Sequence, residues 1–181
     1  MRTVFFGGAN TLDNFIAGPG DDIGWIRHGK EAMALLGKMW ASLDTIVMGR
    51  KTYEATRRLL KEGETPPDGA LSGITSYVLS RTLSTVPAGT NLVREDGVEF
   101  VRRLKGERGK DIFVMGGGEL ARSLFEASLI DRLHVNIHPL LLGSGVPLFH
   151  PMTRPIPLEL EDCRPFKNGC IYASYRVLPS A

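Results

Sequence analysis

Gly116, Gly117 and Gly118 follow the apolar β-former run Ile112 to Met115 and precede Leu120, Ala121, Leu124 and Phe125 at helical spacing. A strand that passes through glycines into a helix lets backbone approach a ligand with no Cβ in the way. The helix start then offers free N–H groups and a positive dipole end to an anion. The chemistry that follows is the binding of a phosphate or a cofactor. A tight strand-to-helix turn with no ligand is the other reading, and three consecutive glycines after a buried strand favour the ligand. Gly116 to Ala121 also fits G-x-G-x-x-A, but that fingerprint belongs in a first βαβ unit with an acid ending the second strand. Here the next acid, Asp131, precedes its strand.

Two further turns carry the same kind of chemistry. Gly49-Arg50-Lys51-Thr52 follows the strand-like Thr45 to Met48 and opens a helix through Tyr53, Ala55 and Leu59, so two cations and a hydroxyl stand at a helix N-terminus. Phosphate recognition wants that combination, whereas a solvated basic face accounts well enough for Arg57-Arg58. Ser80-Arg81 ends the strand Ser76 to Leu79 and adds a donor pair suited to a ribose-phosphate. No nucleophilic triad is present, nor a zinc-deaminase H-x-E with P-C-x-x-C. His134 and His138 share one face of a strand and read as partly buried sheet histidines. A dinucleotide site needs few catalytic side chains, because the cofactor carries the hydride and the protein orients it.

These turns need a scaffold, and the pattern supplies one. Thr3 to Phe6 read as a first strand ending at Gly7-Gly8. Asn10 to Asp22 read as an irregular loop tethered by Phe15 and Ile16, of a length often used for a functional lid. From His28 to Leu43, Ala32, Leu35, Leu36, Met39, Trp40 and Leu43 recur on one helical face and read as core. Residues 61–73 are a solvated loop by composition. Asn91 to Val93 read as a strand, Val98 to Leu104 as a helix, and Arg132 to His138 alternate like a half-buried strand. Leu140 to Phe149 form a long turn with apolar anchors. Asn168-Gly169 joins two last strands, near Leu158–Phe166 and Cys170–Leu178, in a hairpin. Strands alternating with helices and closing on a hairpin give an α/β domain with a mixed sheet. In such a sheet the carboxyl ends of parallel strands share one edge, which would gather the three turns into one site.

Composition narrows the classes. The 181 residues, 43% apolar and 23% charged, fit one globular domain spanning 1–181. A net charge of +2, spread along the chain, gives no basic stripe for nucleic acid. No apolar run reaches membrane-span length, and the N-terminus lacks signal-peptide features, so the cytoplasm is the expected compartment. Cys163 and Cys170 have no zinc-type partner pair, and no metal is expected.

Val47 to Glu54, Val78 to Arg81 and Phe113 to Gly118 resemble, in order and spacing, three cofactor-binding segments of dihydrofolate reductase. Leu12 to Pro19 and Pro139 to Phe149 are similar to the reductase domain of the bifunctional riboflavin-biosynthesis deaminase-reductase and its stand-alone relatives. The resemblance covers nearly the whole chain. It implies a dihydrofolate reductase-like, mixed, mostly parallel sheet of eight or nine strands flanked by helices, with a C-terminal antiparallel hairpin. It further implies an NADPH-dependent reductase and a homodimer formed through the C-terminal region.

Carried over residue by residue, the resemblance implies that Gly49, Arg50, Lys51 and Thr52 meet the cofactor phosphates. Leu79, Ser80 and Arg81 flank the adenosine end, with Arg81 on the 2′-phosphate. Gly116, Gly117, Gly118, Glu119 and Leu120 hold the pyrophosphate, with a cis peptide between Gly116 and Gly117, and Met115 before them also binds the cofactor. Gly8, Ala9, Ile16 and Ala17 border the nicotinamide, and Asp13 serves the substrate pocket. Dihydrofolate reductase proper uses an acid on its first long helix, for which this chain offers only Glu31. Asn14 stands where the riboflavin enzymes usually have glycine after the loop acid. The expected activity is reduction of a pyrimidine- or pterin-like small molecule, among them the ribosylamino-uracil intermediate of riboflavin synthesis. A cofactor-binding module without turnover and dihydrofolate reductase proper are the rivals. A Rossmann-type NAD enzyme predicts an acid on the ribose, and Arg81 speaks against it.

Overall fold

The computed structural model describes residues 1–59 and 73–179, so the solvated loop read over 61–73 falls, but for Gly73, outside the described residues. In chain order the strands are β1 (Val4–Thr11), β2 (Phe15–Ala17), β3 (Leu43–Gly49), β4 (Thr75–Leu79), β5 (Thr90–Val93), β6 (Asp111–Met115), β7 (Arg132–His138), β8 (Val146–Pro147), β9 (Leu158–Pro165) and β10 (Ile171–Val177). The helices are α1 (Lys30–Ser42), α2 (Arg50–Leu59), α3 (Gly97–Gly106) and α4 (Gly118–Glu126). Eight strands form one sheet in the order β5-β4-β3-β6-β1-β7-β10-β9. The pairs from β5 through β7 are parallel. β10 runs antiparallel to both β7 and β9. This is the mixed, mostly parallel dihydrofolate reductase-like sheet that the resemblance implied, with eight strands and the C-terminal hairpin at one edge.

Strand alternation assigns side chains to layers. Val4 and Phe6 of β1, Ile112 and Val114 of β6, and Leu133 and Val135 of β7 face the main core. There they meet α3 and α4 through Phe100, Val101, Leu104, Leu124 and Phe125. Phe5, Ile46, Met48, Val78 and Phe113 fall on the opposite face, beside Met39 and Trp40 of α1 and Tyr53 of α2. The start of α3 is capped by Asp96, whose carboxylate accepts the N–H groups of Val98 and Glu99. Gly169, at φ 86°, turns the hairpin that the Asn-Gly pair announces.

The structure corrects the reading of the first twenty residues. The first strand does not stop at Gly7-Gly8, because β7 continues to pair with it as far as Thr11. Gly7 stays within the ladder because a side chain there would collide with the His134 carbonyl, to which an added Cβ would approach 1.7 Å. Nor is the segment to Asp22 irregular throughout. Phe15–Ala17 form β2, which pairs with β8 from the long turn, and a 3-10 turn follows at Pro19–Asp21. Among the described residues no helix is long and apolar enough to cross a membrane, and no cluster of metal-binding side chains occurs.

Candidate active site

Parallel pairing places three strand ends level. Gly49 of β3 is opposite Leu79 of β4, and Met48 is opposite Met115 of β6. The turns Gly49–Thr52, Ser80–Arg81 and Gly116–Gly118 therefore leave the sheet along one edge, as the strand order required. They also touch. A Cβ added to Gly116 would lie 2.8 Å from Thr52 Cγ2 and 2.9 Å from its Oγ1, so the glycine turn is seated on the threonine. Lys51 Nζ lies 3.7 Å from Glu119 Oε2 across the two helix starts, with both groups exposed. Gly8 and Gly49 are open, with nothing within 4 Å of an added Cβ, so backbone is bare along the groove.

The Gly116-Gly117 bond is trans, since no cis peptide occurs among the described residues. This overturns the cis bond implied by the resemblance. Here two successive left-handed residues, Gly116 at φ 55° and Gly117 at φ 66°, make the turn without one. Gly117 is the N-cap residue of α4, and Gly118 is packed under His150, which the sequence reading did not single out.

Several expected cofactor residues have partners within the chain. Arg50 donates to both carboxylate oxygens of Glu54, at 2.9 and 3.1 Å. The Ser80 hydroxyl accepts the N–H groups of Thr82 and Leu83 and so shapes its own turn. Arg94, also not foreseen, donates to the carbonyls of Arg81, Leu83 and Ser84 and pins that turn from just beyond β5. Arg81 is exposed and enters no ion pair among the described residues. The side chains of Leu79 and Leu120 both lie against Gly97 and are partly buried on the main core.

Beside this edge lies a cavity of about 670 Å³ between α1 and the sheet. Ala32, Leu35, Leu36, Met39 and Trp40 of α1 roof it. The reading of this stripe as core holds for Leu43, buried at the start of β3, and in part for Met39 and Trp40, which pack half-buried against the core. Ala32, Leu35 and Leu36 instead face this space, and no α1 side chain is fully buried. The floor comes from alternate residues of β1, β6 and β7, with Phe5, Gly7, Ala9, Phe113 and Met115 as its apolar part. Gly8, Ile16 and Gly116 also line it, so the cavity opens directly onto the turn-bearing edge. Ala17 is buried beside them in β2. A more open cleft of about 630 Å³ lies outside α2, against Thr85 to Pro87.

Polar groups in the cavity are few. The Tyr172 hydroxyl and His134 Nδ1 are 2.9 Å apart, and His134 packs on Phe5 at 5.2 Å between ring centroids. Burial, then the nearby Arg132 charge, pushes the imidazole pKa down. Burial also pushes the Tyr172 phenol up. Asn136 lies two residues further along the same face of β7.

The two expected substrate acids sit elsewhere than among the cavity walls. Asp13 accepts the Thr11 hydroxyl at 2.5 Å and the amides of Leu142 and Gly143 at 2.8 to 3.1 Å. The Thr11 hydroxyl and then these amides hold its carboxyl below the ordinary range, against the opposing effect of burial. Asp13 thus ties the loop before β2 to the loop before β8. Glu31 is exposed at the start of α1 and accepts the Lys167 amide at 3.0 Å, in the hairpin turn.

The chain is 28% identical over 180 residues to the uncharacterised protein YyaP of Bacillus subtilis (strain 168), covering 97% of this chain and 95% of that one. Among solved structures it is similar to a putative riboflavin biosynthesis protein from Shewanella sp. PV-4, with a TM-score of 0.80 and 22% identity over 98% of this chain and 100% of that one. It is also similar to a dihydrofolate reductase from Enterococcus faecalis complexed with NADP(H), with a TM-score of 0.70 and 16% identity over 97% and 96%. These two structures share its fold. The family model of the RibD C-terminal domain matches residues 2–172. With nearly its whole length matched, this chain belongs to the RibD C-terminal domain family.

Proposed function

We propose that this chain is an NADPH-dependent reductase acting on a flat pyrimidine- or pterin-like molecule. One observation carries the reading. Three glycine- or hydroxyl-bearing turns converge on one sheet edge, and that edge opens at Gly8, Met115 and Gly116 directly onto an apolar cavity. A long, anionic cofactor with a reactive ring at one end matches a polar groove that leads into an apolar chamber. The comparison with a dihydrofolate reductase complexed with NADP(H) supports the choice of cofactor.

The residues present fit such a group. Side chains at Gly8 and Gly49 would occupy open space along the groove, where glycine leaves room for a ligand. The N-termini of α2 and α4 present N–H groups toward phosphates, with Lys51 and Thr52 beside them. Arg81, exposed and without an ion pair among the described residues, is the cation for a 2′-phosphate. Gly8, Ala9, Ile16 and Ala17 border the ring end. When bound, the cofactor supplies the hydride. The chain orients the two rings and keeps water out through α1 and the apolar floor. A folate substrate is disfavoured, because the cavity face of α1 carries Ala32, Leu35, Leu36, Met39 and Trp40 and no acid. The ribosylamino-uracil intermediate of riboflavin synthesis is the first candidate.

The test is loss of nicotinamide absorbance with NADPH and a panel containing that intermediate, dihydrofolate and simple pterins. Turnover of the uracil compound or a pterin, with dihydrofolate inert, is the expected result. Tight NADPH binding without oxidation by any panel member would favour a binding module.

A further inference from the structure

The floor of the cavity is mainly apolar, with Thr3 ahead of β1 and Asp111 of β6 adding polar groups to those of β7. Arg132, at the strand start, is exposed and paired with Glu161 at 3.2 Å. His134 and Asn136 therefore supply the interior polarity of that strand. Each has a buried polar atom with no protein partner, Nε2 of His134 and Oδ1 of Asn136. Native chains rarely leave such atoms unpaired. This face of β7 holds a third, Nε2 of His138, outside the cavity. The two in residues of the cavity wall, covered in this structure, point to a ligand that completes them as their side chains turn toward it.

The chemistry of the pair is opposite. Tyr172 is nine-tenths buried and stays protonated, and burial keeps the imidazole of His134 neutral. A neutral imidazole carries one N–H. With the phenol O–H donating to Nδ1, that hydrogen is on Nε2, which becomes a donor. Asn136 Oδ1 is an acceptor. We propose that His134, set as an Nε2–H donor by Tyr172, and Asn136, through Oδ1, together recognise a lactam edge of the substrate ring, a carbonyl beside an N–H. The proposal rests on the reading that this cavity holds the substrate. It makes His134 and Asn136 specificity residues and Tyr172 a positioning residue.

Titration of the full chain with two fluorescent probes tests it: pteridine-2,4-dione, which has lactam edges, and 2,4-diaminopteridine, which presents amino groups instead. Wild type is expected to prefer the dione by about tenfold or more. His134→Phe and Asn136→Leu should each remove most of that preference. His134→Gln, which retains a donor, should keep part of it, a pattern that misfolding does not produce. In Tyr172→Phe the nitrogen-15 signals of the His134 ring should move from the Nε2–H form toward a mixture of tautomers. Equal affinity for the two rings in wild type, binding of neither, or an intact preference in both His134→Phe and Asn136→Leu would overturn the proposal. NADPH titration of the same proteins separates the two ideas. Unchanged NADPH affinity beside a lost ring preference supports the lactam site, whereas wild type failing to bind NADPH strikes the cofactor reading alone.

Discussion

Arg50 and Arg81 are both cations just after a parallel strand, and the fold gives them different surroundings. Arg50 is held by Glu54 one turn along its own helix, whereas Arg81 is exposed on a turn pinned by Arg94. A charge-assisted hydrogen bond contributes about 1.5–3 kcal/mol, so Arg81→Ala should reduce the preference for NADPH over NADH by roughly ten- to a hundredfold. Arg50→Ala should reduce it much less, and competitive titration of the two cofactors measures both. Equal losses would show that the Glu54 pair opens readily. The positions of Thr52 and Arg81 were legible because a residue just after a parallel strand must lie at the sheet edge. The partners of Asp13 and Ser80 were not. Asp13 finds its amides 129 residues away in sequence, at Leu142. Likewise, alternation showed that His134 and His138 share a face, but only the pairing of β10 with β7 brings Tyr172 to His134.

At the scale of elements, the junction between the glycine turn and α2 makes a sharp prediction. Gly116→Ala meets two obstacles, a left-handed backbone and the side chain of Thr52. The first alone costs about 1–2 kcal/mol. The variant should therefore lose stability in urea and also lose NADPH affinity, because the turn must shift to relieve the contact. Combining it with Thr52→Ala removes the clashing atoms and should recover part of the stability but not the strain of the left-handed residue. No recovery in the double variant would place the cost wholly in the backbone. Most strands and helices followed from apolar runs and their periods. The role of α1 did not, because an apolar stripe at helical spacing looks the same whether it packs on a core or roofs a cavity. The extension of β1 was hidden for a related reason. Gly7 and Gly8 read as a stop, whereas the close approach of β7 makes Gly7 a requirement of the ladder.

For the whole molecule, the pairing of distant segments sets how the fold responds to acid. Asp44, at the start of β3, joins Arg2, two residues ahead of β1, to Lys110, the residue before β6, through the Arg2 guanidinium and the Lys110 amide. Burial opposes its ionisation, but the Lys110 amide, the Thr45 hydroxyl and the Arg2 charge outweigh it and hold the carboxyl below its ordinary 3.8. A depressed folded-state pKa gives stability that is present above the unfolded value and is lost as pH falls through the folded one. Urea midpoints should thus fall below about pH 4, and Asp44→Asn should flatten that part of the profile while lowering stability at pH 7. At the sheet edge, β9 exposes Leu158 and Leu160, and Leu141 is 72% exposed on the loop nearby in sequence to β8. This supports the homodimer expected through the C-terminal region. Light scattering should give twice the chain mass at micromolar concentration, and Leu160→Arg should shift it toward monomer. A wild-type monomer would contradict the expectation. The measurement that bears most directly on the central claim is a crystal structure of the NADP+ complex. It should show phosphates on the Gly49–Thr52 and Gly116–Gly118 turns, Arg81 on the 2′-phosphate and the nicotinamide at Gly8 and Ile16, facing the cavity under α1. A cofactor lying instead in the open cleft beyond α2, or no bound cofactor at saturating concentration, would contradict it.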